Sequence, residues 1–165
     1  ISMSINKNKA ASDNWYNVQK TFASLFEAAK GYHNKVQLYA YYEQAGRCFI
    51  STLLKGNRLY TLSPRGKTPS GQAIIGVAMN MLRDAKRNNL LIHITDGESN
   101  CGIDVSEAIR YCKKKLINLV TIGCGYNESI REYLKDTYKD IYFMKDFSQL
   151  PDAIEYLLKK KVVGS

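Results

Sequence analysis

Histidine is scarce in this sequence, with only His33 and His93, and its four cysteines show no paired spacing. Zinc fingers and disulfide frameworks need thiols at regular, close intervals, and Cys48, Cys101, Cys112 and Cys124 offer none. Cys112 and Cys124 fall in apolar stretches, where a thiol behaves as a small hydrophobe. A reduced, cytoplasmic setting is therefore the expectation. Hydrolytic triads are excluded in the same way. His33 follows a helical stretch and His93 lies inside a strand, so neither shares a location with a Ser or Cys nucleophile. Cys101 sits in a loop without an evident base and reads as an incidental thiol, so no catalysis is expected. No apolar run reaches the length of a membrane span, and no signal-peptide pattern opens the sequence, so no membrane partner is expected.

Acidic residues are also few, 15 against 24 basic ones, for a net charge of +9. Such an excess can mark a surface for nucleic acid or for an acidic partner. However, the triplets Lys113–Lys115 and Lys159–Lys161 close helical stretches, where the helix dipole and free carbonyls favour cations. The twelve tyrosines could stack on bases, but strand propensity accounts for them more simply. Binding of single-stranded nucleic acid by a basic α/β scaffold is the alternative reading. Gly66-Lys67-Thr68 before a helix has part of a phosphate-binding loop. Yet Thr61 stands where the first glycine should be, and Pro64 removes a backbone donor.

What is present is a strand–helix alternation. Apolar residues at Trp15, Val18, Phe22, Leu25, Phe26 and Ala29 line one face of a helix that Ser12 or Asp13 caps and Gly31 stops. Val36–Tyr42 and Arg47–Leu53 read as strands joined by the short stretch Glu43–Gly46, which predicts a hairpin with an antiparallel edge strand. Lys55–Lys67 is polar and irregular, and Pro69 suits the first position of the next helix. Strands follow at Leu90–Thr95, Asn118–Gly123 and Ile141–Met144, and helices at Val105–Lys115, Ile130–Tyr138 and Phe147–Lys160. Crossover units of this kind imply a doubly wound, mostly parallel sheet covered by helices on both faces. The 165 residues form one domain, without repeats and without a long exposed apolar stripe, so a monomer is expected.

In such a sheet every loop that follows a strand lies on one rim, where ligands bind. Three oxygen-bearing segments meet there. Ser2 and Ser4 flank Met3, so both hydroxyls can turn the same way; Thr68 precedes a helix; Asp96 ends the strand Leu90–Thr95. Hydroxyls and a carboxylate, without imidazole or thiolate, suit Mg²⁺, Mn²⁺ or Ca²⁺ and disfavour zinc. Mostly neutral ligands leave the cation's charge poorly balanced, so a carboxylate from outside could complete the shell.

These residues resemble the von Willebrand factor A-type (vWA) domain and its metal-ion-dependent adhesion site (MIDAS), whose pattern is Asp-x-Ser-x-Ser, a distant Thr and a distant Asp. Ser2 and Ser4 match the serines. Thr68 matches the threonine within Gly66-Lys67-Thr68-Pro69-Ser70-Gly71, and Asp96 the aspartate within Ile94-Thr95-Asp96-Gly97. The likeness runs the length of the chain, including Thr121–Gly125 and the closing helix. It implies a Rossmann-like vWA fold and a metal held by Ser2, Ser4, Thr68 and Asp96. It also implies a protein partner that presents an acidic side chain, and a lean towards members that assist AAA-type ATPases. The sequence starts at the second position of Asp-x-Ser-x-Ser. The expectation is that the natural protein continues before Ile1 with the first aspartate and the central strand.

Overall fold

A computed structural model describes residues 16, 19–23, 36–55, 58–60, 66–83, 89–124, 128–145 and 147–160. Residues 19–23 are helical, with Phe22 buried, so the first helix of the sequence lies mostly outside the described residues, as does its stop at Gly31. The first hairpin pairs β1 (Tyr39–Gln44) with β2 (Arg47–Thr52), antiparallel, in a register that sets Tyr41 opposite Ile50 and Tyr42 opposite Phe49. Its turn is the two-residue kind that matches strand twist: Ala45 and Gly46 both have positive φ, +51° and +75°. The Glu43 carboxylate accepts from the Gly46 N–H at 2.6 Å and fixes that turn. The polar stretch after Lys55 is less irregular than the sequence suggests, because β3 (Leu54–Lys55) and β4 (Arg58–Leu59) form a short antiparallel ladder.

Helix α1 (Ser70–Leu82) begins one residue later than the proline rule places it, with Pro69 at the N-cap. It leads to β5 (Leu90–Thr95), α2 (Val105–Lys114), β6 (Asn118–Cys124), α3 (Glu128–Thr137) and β7 (Ile141–Met144). Asp104 caps α2, accepting from the Ser106 N–H at 2.7 Å. The closing helix differs from its single predicted span. A 3₁₀ turn, Phe147–Gln149, leads into α4 (Leu150–Leu158). Pro151 has no N–H to donate, which a helix tolerates only in its first turn, so the α-helical run starts there.

The order β5-β6-β7 is parallel throughout, with His93 beside Thr121 and Thr95 beside Gly123. Period-two alternation divides these strands between two cores. Ile94, Val120 and Ile122 face one layer, closed by Leu150, Ile154 and Leu157 of α4. The other face packs on Ile74 and Ala78 of α1, Val105 and Ala108 of α2, and Leu134 of α3. Helices therefore cover both faces, as the alternation requires. Among the described residues the hairpin does not pair with β5–β7, yet Ala40, Tyr42 and Leu53 belong to the same core as Ile94 and Val120.

Candidate metal site

The rim is built where β5 ends. Thr95 is fully buried, and its hydroxyl donates to the Gly97 carbonyl at 3.0 Å and accepts from the Gly97 N–H at 3.3 Å. The strand's last side chain thus closes a tight turn on itself, and half-buried Asp96 stands at its apex. A strand can turn so sharply here because Thr95 supplies both the donor and the acceptor.

Thr68 comes to the same rim from a different part of the chain, and loop β5–α2 holds it there. The Thr68 N–H donates to Asn100 Oδ1 at 2.8 Å, and its carbonyl accepts from the Asn100 N–H at 3.2 Å and from the Ser99 hydroxyl at 3.2 Å. Ser99 also accepts from the Ser70 N–H at 3.3 Å. Pro69, the N-cap of α1, has no side chain able to cap, so a serine 30 residues downstream takes over that work for Ser70. Thr68 is buried to 2% exposure. Four hydrogen bonds therefore fasten the segment carrying Thr68 to the loop that Asp96 begins.

Two glycines of the Gly66–Gly71 stretch allow this approach. Gly66, at φ +76°, lies against β1; a Cβ there would stand 2.1 Å from the Glu43 carbonyl oxygen. The Glu43 N–H donates to the Lys67 carbonyl at 3.1 Å in the same contact. A Cβ on Gly71 would stand 2.1 Å from the Ile103 carbonyl oxygen, so α1 and the rim loop meet backbone to backbone. Gly71→Ala should destabilise the protein by about 1–3 kcal/mol through overpacking, read as a lower denaturant midpoint at unchanged m-value. An unchanged midpoint would mean that the loop does not press on the helix.

Beneath the rim lies a buried polar chain. Tyr41 Oη stands 2.6 Å from His93 Nε2 and 3.0 Å from Ser70 Oγ. His93 is 4% exposed, and its ring lies between those of Tyr41 and Tyr138, at centroid distances of 5.7 and 5.4 Å. Nδ1 of His93, Oγ1 of Thr121 and Oη of Tyr138 have no hydrogen-bond partner among the described residues. That pattern orders the protons. If Nε2–H donates to Tyr41 and Tyr41 to Ser70, the unpartnered Nδ1 is an acceptor. The reverse direction would strand a buried N–H, which is the costlier fault. Burial pushes the imidazole's pKa down to about 3, so it stays neutral. Among the described residues, then, His93 is bonded through Nε2 and not through Nδ1.

Of the four predicted ligands, Thr68 and Asp96 are on the rim in segments that the structure joins. Ser2 and Ser4 lie outside the described residues. Ser99, Asn100 and the bonds that join Tyr41, His93 and Ser70 carry no signal in the sequence; Gly66 and Gly71 stand out there only as parts of a motif. Among the described residues no three His, Cys, Asp or Glu side chains gather closely enough to hold a metal. Thr68 and Asp96 supply hard oxygen donors, the kind that suits Mg²⁺ or Mn²⁺. Burial, and then the Glu43 carboxylate, push the nearby Cys101 thiol above its ordinary pKa, which suits an inert thiol better than a nucleophile. No helix among the described residues is long and apolar enough to cross a membrane.

Comparison with known families matches residues 2–156 to the von Willebrand factor type A domain. Comparison with curated proteins gave no match. Among solved structures, proximal thread matrix protein 1 from the mussel byssus superposes with a TM-score of 0.68 at 19% identity, covering 96% of this chain and 44% of its own. A structure of that protein with zinc in its MIDAS motif gives 0.65 at 20% identity, covering 96% of this chain and 45% of its own. The manganese-loaded TRAP protein of Plasmodium vivax gives 0.50 at 18% identity, covering 73% of this chain and 57% of its own. At these identities the likeness speaks for the fold. This chain spans under two thirds of each of these structures.

Proposed function

The chain belongs to the von Willebrand factor type A family, and on that premise we propose that it is a divalent-cation-dependent protein-interaction module. The observation that carries this reading is the four-bond clamp between the Thr68 segment and the loop after Asp96. In the proposed site the hydroxyls of Ser2, Ser4 and Thr68 bind the cation directly, and the Asp96 carboxylate binds directly or through water. The cation supplies a concentrated positive charge to which an external carboxylate can add. Direct ligands that are mostly neutral hydroxyls leave that charge poorly balanced, so an acidic side chain of a partner protein is the natural completing ligand. Ser99 and Asn100 act by position: they keep Thr68 at the rim while Thr95 keeps Asp96 at the turn's apex.

The donor set suits Mg²⁺ or Mn²⁺ best. Manganese and zinc occupy structures of the similar proteins described above. We further assign the module, as a cytoplasmic monomer, to service alongside an AAA-type ATPase, the role that its family resemblance leans towards.

Melting the protein with Mg²⁺ or Mn²⁺ and with chelator tests the site. Metal at about 100 times its Kd should stabilise the native state by about 2.7 kcal/mol, since only the folded chain gathers the ligands. Asp96→Ala should lose that gain, read against its own melting point in chelator. A variant that responds to metal as fully as the parent, or a parent that does not respond, overturns the assignment.

A further inference from the structure

At the end of the sheet opposite the rim, the connection from α2 to β6 breaks a local rule. The Ile117 N–H donates to the Cys112 carbonyl at 3.0 Å and the Leu116 N–H to the Lys113 carbonyl at 3.2 Å, the pair of bonds that defines a Schellman helix end. Leu116 occupies the left-handed position of that motif, at φ +56°, where glycine is the default and any side chain is strained. The apolar contact such a motif needs is already made by Ile117, which is 5% exposed. The Leu116 side chain is 87% exposed. It carries the steric cost of its backbone and gains no burial in return, which is the mark of a residue kept for something outside its own fold.

Its surroundings suggest what that is. A groove of about 470 Å³ opens beside it, lined by Ile109, Leu116, Ile117 and Leu119 together with Lys113 and Asp140. Lys114 and Lys115 are exposed next to it. The helix dipole accounts for a cation or two in the last turn, but not for a strained, projecting leucine beside them. We propose that this end of the domain docks an acidic segment of a partner protein, with a bulky apolar side chain seated against Leu116 and flanking Asp or Glu facing Lys113–Lys115. Aliphatic walls suit such an anchor better than a nucleobase, which stacks on aromatic rings. This surface is separate from the metal rim, and both can be engaged at once.

A library of synthetic peptides, each with one Leu, Ile or Phe flanked by Asp and Glu, tests the proposal by fluorescence anisotropy in chelator, so that the metal rim takes no part. The best peptide should bind at least tenfold more weakly to Leu116→Gly and to Lys113→Glu, and its Lys-flanked counterpart should not bind. Leu116→Gly should melt no lower than the parent, because glycine relieves the left-handed strain, so its lost binding cannot be laid to unfolding. Failure of every acidic peptide to bind, or equal binding by Leu116→Gly, overturns the proposal. So does an oligothymidylate that binds this face more tightly than the peptides do.

Discussion

Acidification from about pH 6.5 to about pH 4.5 should cost this protein about 2.3 kcal/mol through His93 alone. The imidazole is neutral in the fold, with a pKa lowered by burial to about 3, whereas in the unfolded chain it titrates at its ordinary value near 6.5. Between those values the unfolded state binds a proton that the folded state refuses. Stability is therefore complete above about pH 6.5 and falls by about 1.4 kcal/mol for each unit below it, down to about pH 3. For a domain whose whole stability is of the order of 5–15 kcal/mol, that loss is large. His93→Phe should flatten this limb, because a phenyl ring still fits between Tyr41 and Tyr138 and the Tyr41 hydroxyl keeps Ser70 as a partner. Urea unfolding of both proteins across this pH range measures the difference. Equal slopes would show that the imidazole is protonated in the native state and that Nε2 is not sealed against Tyr41.

Asn100→Ala should cost about 1–3 kcal/mol, well beyond what an exposed loop position ordinarily costs. The side chain is on the surface, but the N–H it accepts belongs to Thr68, which is 2% exposed. Without Oδ1 that donor loses its acceptor on the loop, while the Asn100 N–H and Ser99 hydroxyl still bind the Thr68 carbonyl. Asn100→Asp keeps an acceptor at the same distance and should recover most of the loss. If Thr68 is a ligand, Asn100→Ala also weakens metal binding at least tenfold, since the threonine is no longer held at the rim. A change within about 0.5 kcal/mol would mean that the clamp is incidental.

The two kinds of feature differ in how far the sequence reveals them. Alternation in Leu90–Thr95 and Asn118–Gly123, and the helical stripes between them, depend on periodicity, which is a local property; the crossover architecture follows from it. Thr68 and Asp96 are legible for a related reason, since each sits at a strand or helix boundary that turn residues mark. The clamp is not, because Ser99 and Asn100 are polar loop residues with no period, and their partners lie some 30 positions away. Tyr41 is equally opaque. In Tyr39-Ala40-Tyr41-Tyr42 every tyrosine scores as a good strand former, and only the packed layer shows that Tyr41 bridges His93 and Ser70. Leu116 is hidden for the opposite reason, since a leucine after a lysine triplet carries no sign of a left-handed backbone. Pro69 and Pro151 both announce helix starts, but the first stands at the cap and the second inside the first turn, a difference of register that composition does not set.

Whether Thr68 and Asp96 serve one cation is answered most directly by Mn²⁺ added in small steps to ¹⁵N-labelled protein, with paramagnetic broadening followed amide by amide. Signals from residues 67–70 and 95–100 should fade together at the lowest additions, and Asp96→Ala should abolish the effect in both groups. Broadening confined to one segment, or centred on the lysine-bearing end of α2 or elsewhere, would contradict a shared cation.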